Sequence, residues 1–355
     1  MAFSAENRAG TMSGILFVAI FAAAATYIAE LGPIKALGLS PLVIGIVIGI
    51  FYANTLHNQT PKAWQSGITF SGKKILRFAI VLYGFRITFQ QIAEVGMDGF
   101  LVSLIMLSTT LILGSWLGTK IFGMEKDTSI LTASGAAVCG AAAVLATEPV
   151  LKAEEYKTAI AVSMVVLFGT ISMFLYPVLY TTMIENATGF FHMTAREFGI
   201  YVGGTIHEVA QVVAVPASVP SAPTEMADAA VIVKMTRVIM IAPMLIVLGL
   251  YLAWSTKKEG GELSGKTKLV IPWFAVYFIM VAGFNSFHLL PLNIVDIINE
   301  VDTFLLTMAM TALGMGTIFA KFKGLGLTPV YTALSMFIWL VVGGFVVTKL
   351  IVEVF

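Results

Sequence analysis

A single cysteine, Cys139, stands in 355 residues, which excludes a disulfide framework and any thiolate metal cluster. Four histidines leave little room for a metal-ligand set, so no metal and no cofactor is expected. Charged residues make up only 12% of the chain, about half the share usual in soluble domains. A net charge of +1 excludes both a strongly basic nucleic-acid binder and an acidic solvating tail. No Walker-type phosphate loop occurs, which argues against ATP-driven pumping by this chain. What is abundant is apolar: 58% of residues are hydrophobic, and the mean hydropathy is +0.92. Too few polar side chains remain to coat a globule of this size, so the solvent must be a lipid bilayer. The class is an all-α polytopic membrane protein.

A membrane-spanning helix needs about 20 mostly apolar residues. Cutting such runs at Pro, Gly and charge clusters gives eleven spans, at 13–31, 40–56, 66–93, 99–121, 128–151, 156–182, 197–215, 227–254, 270–287, 302–320 and 328–352. The N-terminal run has no small-residue cleavage site after it and is read as a retained span. Thr256 to Lys268 is an ordinary polar loop. Lys and Arg set the orientation. One side receives Arg8, Lys62, Lys120, Lys126, Arg196, Lys257, Lys258, Lys266, Lys268, Lys321 and Lys323, the other only Lys35, Lys152, Lys157 and Lys349, with Arg86 near a helix end. The N-terminus is therefore expected inside and the C-terminus outside.

The chain also carries an internal echo. Lys74-Ile75-Leu76-Arg77 in the third span matches Lys234-Met235-Thr236-Arg237 in the eighth. Gly45-x-x-x-Gly49 followed by Asn54 and His57 aligns with Gly199-x-x-x-Gly203 followed by Glu208 and Gln211. The copies lie five spans apart, an odd number, so the second enters the membrane from the opposite side. Inverted repeats of this kind are common in secondary transporters, with the substrate site near the midplane at the repeat interface. The expected division is an extra span at 1–37, a first five-helix repeat at 38–183 and an inverted second at 184–355. Gly135, Cys139 and Gly140 in the fifth span, and Gly314 and Gly316 in the tenth, predict broken helices at matching places. A smooth helix that uses small residues for close packing is the alternative.

The run Ala137-Val-Cys-Gly140 leading to Glu148-Pro149-Val150, the two Lys-x-x-Arg spans, and Ala309-Met-Thr-Ala-Leu-Gly-Met-Gly316 together resemble the YeiH-like family of proposed sulfate exporters. The resemblance covers nearly the whole chain from the second span onward. It implies a fold like the bile acid–sodium symporters and sodium–proton antiporters, with crossed broken helices and a core domain moving against a panel domain. It also implies a sulfur oxyanion or sulfonate as substrate. Ala137 and Ala142 stand where that family pattern carries serines.

A lysine or arginine at mid-span costs roughly 2.5–3.5 kcal/mol. Lys74, Arg77, Lys234 and Arg237 outnumber the one clearly mid-span acid, Glu208, as an anion-binding cavity would require. Arginine adds a planar fork suited to oxyanions. Snorkelling to the headgroups and pairing with Glu208 are the bland alternatives. Half-helix N-termini at Cys139, Gly140, Gly314 and Gly316 would offer backbone N–H groups to the same anion. His207 and Glu208, with Asn54 as the non-titrating counterpart, are candidates for proton coupling or for a structural ion pair. His207-Glu208 lacks the second histidine of a zincin, since Gln211 stands there. Ser134 near His207 leaves an intramembrane hydrolase as a thin alternative, and an anion channel is a stronger one. Secondary transport of a small anion is the favoured reading, and a homodimer is an open possibility.

Overall fold

The computed structural model describes residues 7–31, 34, 40–56, 60–220, 222–258, 273–322 and 326–354. Lys35, His57, Lys266, Lys268 and Lys323 lie outside the described residues. Among the described residues the chain is all-helical, with no strand. In order, α1 is Arg8–Ala29, α2 is Pro41–Thr55, and α3, Gln65–Phe70, continues through a π turn at Ser71–Ile75 into α4, Leu76–Tyr83. Next come α5 (Phe89–Trp116), α6 (Lys126–Ala137), α7 (Ala141–Leu151) and α8 (Glu155–Leu179). The second half holds α9 (Ala195–Thr205), α10 (Val209–Ala217), α11 (Thr224–Ile239), α12 (Ile241–Lys258) and α13 (Trp273–Ser286). Last come α14 (Leu292–Gly316), α15 (Leu327–Ile338) and α16 (Gly344–Val354), the final two joined by a π turn at Trp339–Gly343.

Among the described residues, five helical stretches are long and apolar enough to cross a membrane: Arg8–Ala29, Phe89–Ile121, Tyr156–Ile184, Thr224–Leu252 and Leu327–Val354. Their outward faces carry large apolar side chains such as Leu16, Ile112, Val178, Leu250 and Val342, all exposed. Exposed apolar surface on that scale is what lipid contact requires. Shorter apolar helices, including α2, α7 and α13, pack between them.

Sequence-based boundaries moved in several places, among them three that bear on the site. The expected third span, 66–93, ends sooner, because a tight turn at Gly84–Arg86 precedes Thr88, which caps α5 in a capping box with Gln91. The expected tenth span, 302–320, starts at Leu292, just after Pro291. Its first turns carry Asn293, Asp296, Asn299 and Glu300, polar residues that hide a helix from a hydropathy reading. The expected seventh span, 197–215, is two helices.

Glycine governs the closest packing. A Cβ at Gly49 would lie 3.0 Å from the Cα of Gly314, and one at Gly314 would strike the α2 backbone at Ile46. The backbones of α2 and α14 therefore touch directly. Gly314 is helical and serves this contact, so its part is the close packing weighed above against an unwound backbone. Gly199 and Gly203 seat α9 on α11 in the same manner, against Met226 and Ala230. At the polar edge, Lys157 at the start of α8 gathers Glu125 at 3.0 Å and Asp127 at 3.3 Å, fixing the start of α6. The Lys157 ammonium holds the Glu125 carboxyl below its usual range.

Candidate functional site

Two helix interruptions, one between α6 and α7 and one between α9 and α10, meet. After α6 the chain leaves helical geometry at Val138, passes Cys139, and turns at Gly140 with φ 76° and ψ −138°, a conformation that side-chain-bearing residues avoid. After α9, Ile206 is extended, and Glu208 forms a capping box with Gln211 at the start of α10. Four half-helix ends converge here. Two are C-terminal and expose carbonyls; two are N-terminal and expose N–H groups.

The carbonyl ends take two cations from α11. Lys234 and Arg237 are both fully buried. Lys234 Nζ donates to Val138 O at 2.7 Å, Ile206 O at 2.6 Å and His207 O at 2.8 Å. Arg237 donates from Nε to Ala137 O, from Nη2 to Ala136 O and from Nη1 to Gly204 O, each at 2.6 Å. A helix C-terminus carries about half a negative charge, so two such ends supply about one negative charge between them, and six short hydrogen bonds to carbonyls add to it. All three Lys234 donors are used. Both residues therefore act as long-range caps that join the two interruptions, and Lys234 has no donor left for a ligand.

The N–H ends take the carboxylate. Glu208 lies against Gly140, where its Oε1 would be 3.0 Å from an added Cβ, and it faces the Ala141 N–H that opens α7. Among the described residues it makes no ion pair with Arg77 or Arg237. His207 Nδ1 and Gln211 Nε2, both on nearly or fully buried side chains, lack hydrogen-bond partners. Ser134 donates its hydroxyl to Leu131 O, not to His207.

A cavity of about 380 Å³ opens beside the first interruption. Cys139 and Ala142 form its floor, Arg77 and Phe78 of α4 one wall, and Trp273, Phe274 and Tyr277 of α13 another. The Arg77 guanidinium lies over the Phe274 ring, 5.7 Å from its centroid. Unlike Arg237, it has no carbonyl partners among the described residues and is exposed. Lys73 and Lys74 sit in the π turn just before it, both exposed, and the charge of Lys73 reaches Glu208. The four cations read from the sequence thus part company: Arg77 faces the cavity, Lys74 stands beside it on α3–α4, and Lys234 and Arg237 are locked in the backbone beneath. Lys234, Arg237 and Glu208 together leave one formal positive charge in the junction, before Arg77 and Lys73 are counted.

Asn54 works at a different junction. Its side chain donates to Thr317 O at 2.9 Å and accepts from Phe319 N at 2.8 Å, holding the chain as it leaves α14. Gly316 ends that helix with open space around it. Asn54 and Glu208, aligned in the sequence, thus each bridge the ends of two helices. Two features escaped the sequence reading. The interruption at Ile206–Glu208 carries neither Gly nor Pro itself, though Gly203-Gly204 and the polar trio His207, Glu208 and Gln211 mark it. The pair Arg86–Asp302, at 3.2 Å, was hidden because Asp302 stood at the edge of an expected span.

Comparison with known proteins places this architecture in a family. The family described as conserved hypothetical protein 698 matches residues 13–333. A UPF0324 membrane protein of Bacteroides thetaiotaomicron is 44% identical over 338 residues, covering 95% of this chain and 98% of the relative. One from Pseudomonas putida is 44% identical over 339 residues, covering 96% and 93%. The UPF0324 inner membrane protein YeiH of Escherichia coli K12 is 45% identical over 332 residues, covering 93% and 91%. The chain belongs to this YeiH-like UPF0324 family of membrane proteins.

Proposed function

We propose that this protein is a secondary transporter of small anions that works by alternating access, with sulfate or another sulfur oxyanion or sulfonate as substrate. The observation that carries this reading is the cavity in which Arg77 stands over Cys139 and Ala142, at the N-terminal end of α7. An anion there would meet the Arg77 guanidinium, a planar fork suited to oxyanions, beside the first turn of α7 at Ala142, while the Ala141 N–H of that turn serves Glu208. Excess positive charge in the junction supports an anion over a cation. The sulfur-oxyanion choice rests on family resemblance alone.

The same reading has eleven spans, with the N-terminus inside and the C-terminus outside a bacterial cytoplasmic membrane. Its inverted repeats span 38–183 and 184–355. Supporting it are the bridging roles of Asn54 and Glu208 and the paired glycine contacts of α2 and α9. Glu208 and His207, at the second interruption, are candidates to couple transport to protons. An anion channel is the second reading, because the cavity is open. The protein works without a cofactor in either case, and a homodimer stays an open assembly. Proteoliposomes loaded with sulfate, sulfite, thiosulfate, small sulfonates or small carboxylates test the proposal. Saturable, exchangeable flux of one of them is expected. Unsaturable flux would favour the channel, and cation flux without anion flux would end the anion reading.

A further inference from the structure

Asp302 lies fully buried midway along α14, and nothing in the anion site uses it. Its Oδ2 accepts from Arg86 Nε at 3.2 Å, while its Oδ1 is buried with no partner. Asn299, one turn earlier, likewise has a buried side-chain oxygen with no partner. Residues three apart share a helix face, so both unpaired acceptors lie on the face that Arg86 covers. Arg86 already occupies the neighbouring oxygens, donating from Nη2 to Asn299 O and to Thr303 Oγ1, each at 2.7 Å. Too few oxygens are left for a metal-ion shell. Two are enough for one hydrogen, one to carry it and one to accept from it.

We propose that Asp302 carries the coupling proton of this transporter, held as an acid O–H on Oδ1 that donates to Asn299 Oδ1. The proton enters from water at the rim where the Arg86 side chain is 30% exposed, and it returns to water when the carboxylate re-forms its pair with Arg86. Neutralising Asp302 weakens that pair. Arg86 ends the helical stretch that begins with α4 and carries Arg77, so the hold of α14 on the anion-facing helix loosens with it. The groups facing Asp302 fit this role. Arg86 acts on its charge, that charge reaches Tyr83, and Asp228 of α11, bonded to Gln91 at 2.9 Å, faces the same Tyr83. Along the rest of α14, the packed helices add Lys73, Lys74 and Arg77 from the α3–α4 stretch, Tyr52 from α2, and Arg8 and Tyr27 from α1.

The inference rests on the transport reading, and two fluxes separate their failures. Proteoliposomes are assayed with labelled sulfate and a labelled small sulfonate, first as exchange at equal pH, then as accumulation driven by a pH gradient. Asp302→Asn keeps the shape of the protonated acid, since its amide can donate where the O–H did. It should keep exchange and lose pH-driven accumulation. Asn299→Ala removes only the acceptor, and should shift the pH of half-maximal accumulation downward. Retained pH-driven accumulation in Asp302→Asn, an unmoved profile in Asn299→Ala, or a sodium gradient replacing the proton gradient in the wild type would each overturn the inference. Absence of both fluxes in the wild type would overturn the transport reading and this inference with it.

Discussion

The ammonium of Lys234 sits 2.7 Å from the carbonyl of Val138, across 96 residues of sequence, at the point where one helix breaks. The same nitrogen holds Ile206 and His207, where a second helix breaks. One side chain therefore fixes the relative placement of two interruptions, and with it the floor of the cavity at Cys139 and Ala142.

Replacing Lys234 with Met keeps the length and removes the donors. Three carbonyls are then left without their partner, and each unsatisfied buried acceptor costs about 1–3 kcal/mol. The variant should lose on the order of 3 kcal/mol or more of stability. Thermal unfolding in detergent measures it. A melting temperature equal to the wild type would mean that the caps carry no weight.

At Gly140 the backbone conformation and the neighbour act together. Alanine would meet strained φ/ψ, a cost on the order of 1–3 kcal/mol, and its Cβ would run into Glu208. Gly140→Ala should therefore lower both melting temperature and anion affinity. Gly316→Ala, with nothing within 4 Å of the added Cβ, should leave both nearly unchanged. Equal effects of the two changes would contradict the geometry.

Much of this was legible in the sequence, and the reasons are physical. Cations in apolar runs must be offset, so Lys234, Arg237 and Arg77 identify themselves. The break at Val138–Gly140 announces itself through glycine and small residues. What the sequence does not distinguish is whether a cation faces a cavity or a carbonyl. Arg77 and Arg237 occupy equivalent motif positions, yet only the fold reveals that the α6 and α9 ends consume Arg237. Equally, α14 is longer than its apolar run, because its first turns carry Asn293, Asp296, Asn299 and Glu300, and the partner of buried Asp302 is an arginine far away in sequence.

Glu208 faces two half-helix N-termini, where a carboxylate is favoured. Glu208→Gln preserves an acceptor but removes the charge. A charge at a helix end is worth about 0.3–1 kcal/mol each, and up to ~2 kcal/mol when partly buried, so stability should fall modestly. Losing one negative charge from the junction behind the cavity should also tighten anion binding. Weaker binding in this variant would contradict this charge balance. Adding Glu208→Gln to Arg237→Gln should not rescue stability, because these two residues are not paired.

The most direct measurement sets Arg77→Gln beside Arg237→Gln, with anion affinity and melting temperature determined on both. Loss of a charge-assisted bond costs about 1.5–3 kcal/mol, so Arg77→Gln should bind its anion about 10-fold to 150-fold more weakly while melting near the wild type. Arg237→Gln leaves carbonyls unpaired, and should lose about 2–6 kcal/mol of stability. Its remaining folded fraction should bind the anion with near-native affinity. Unchanged affinity in Arg77→Gln, or lost affinity at native stability in Arg237→Gln, would contradict the account.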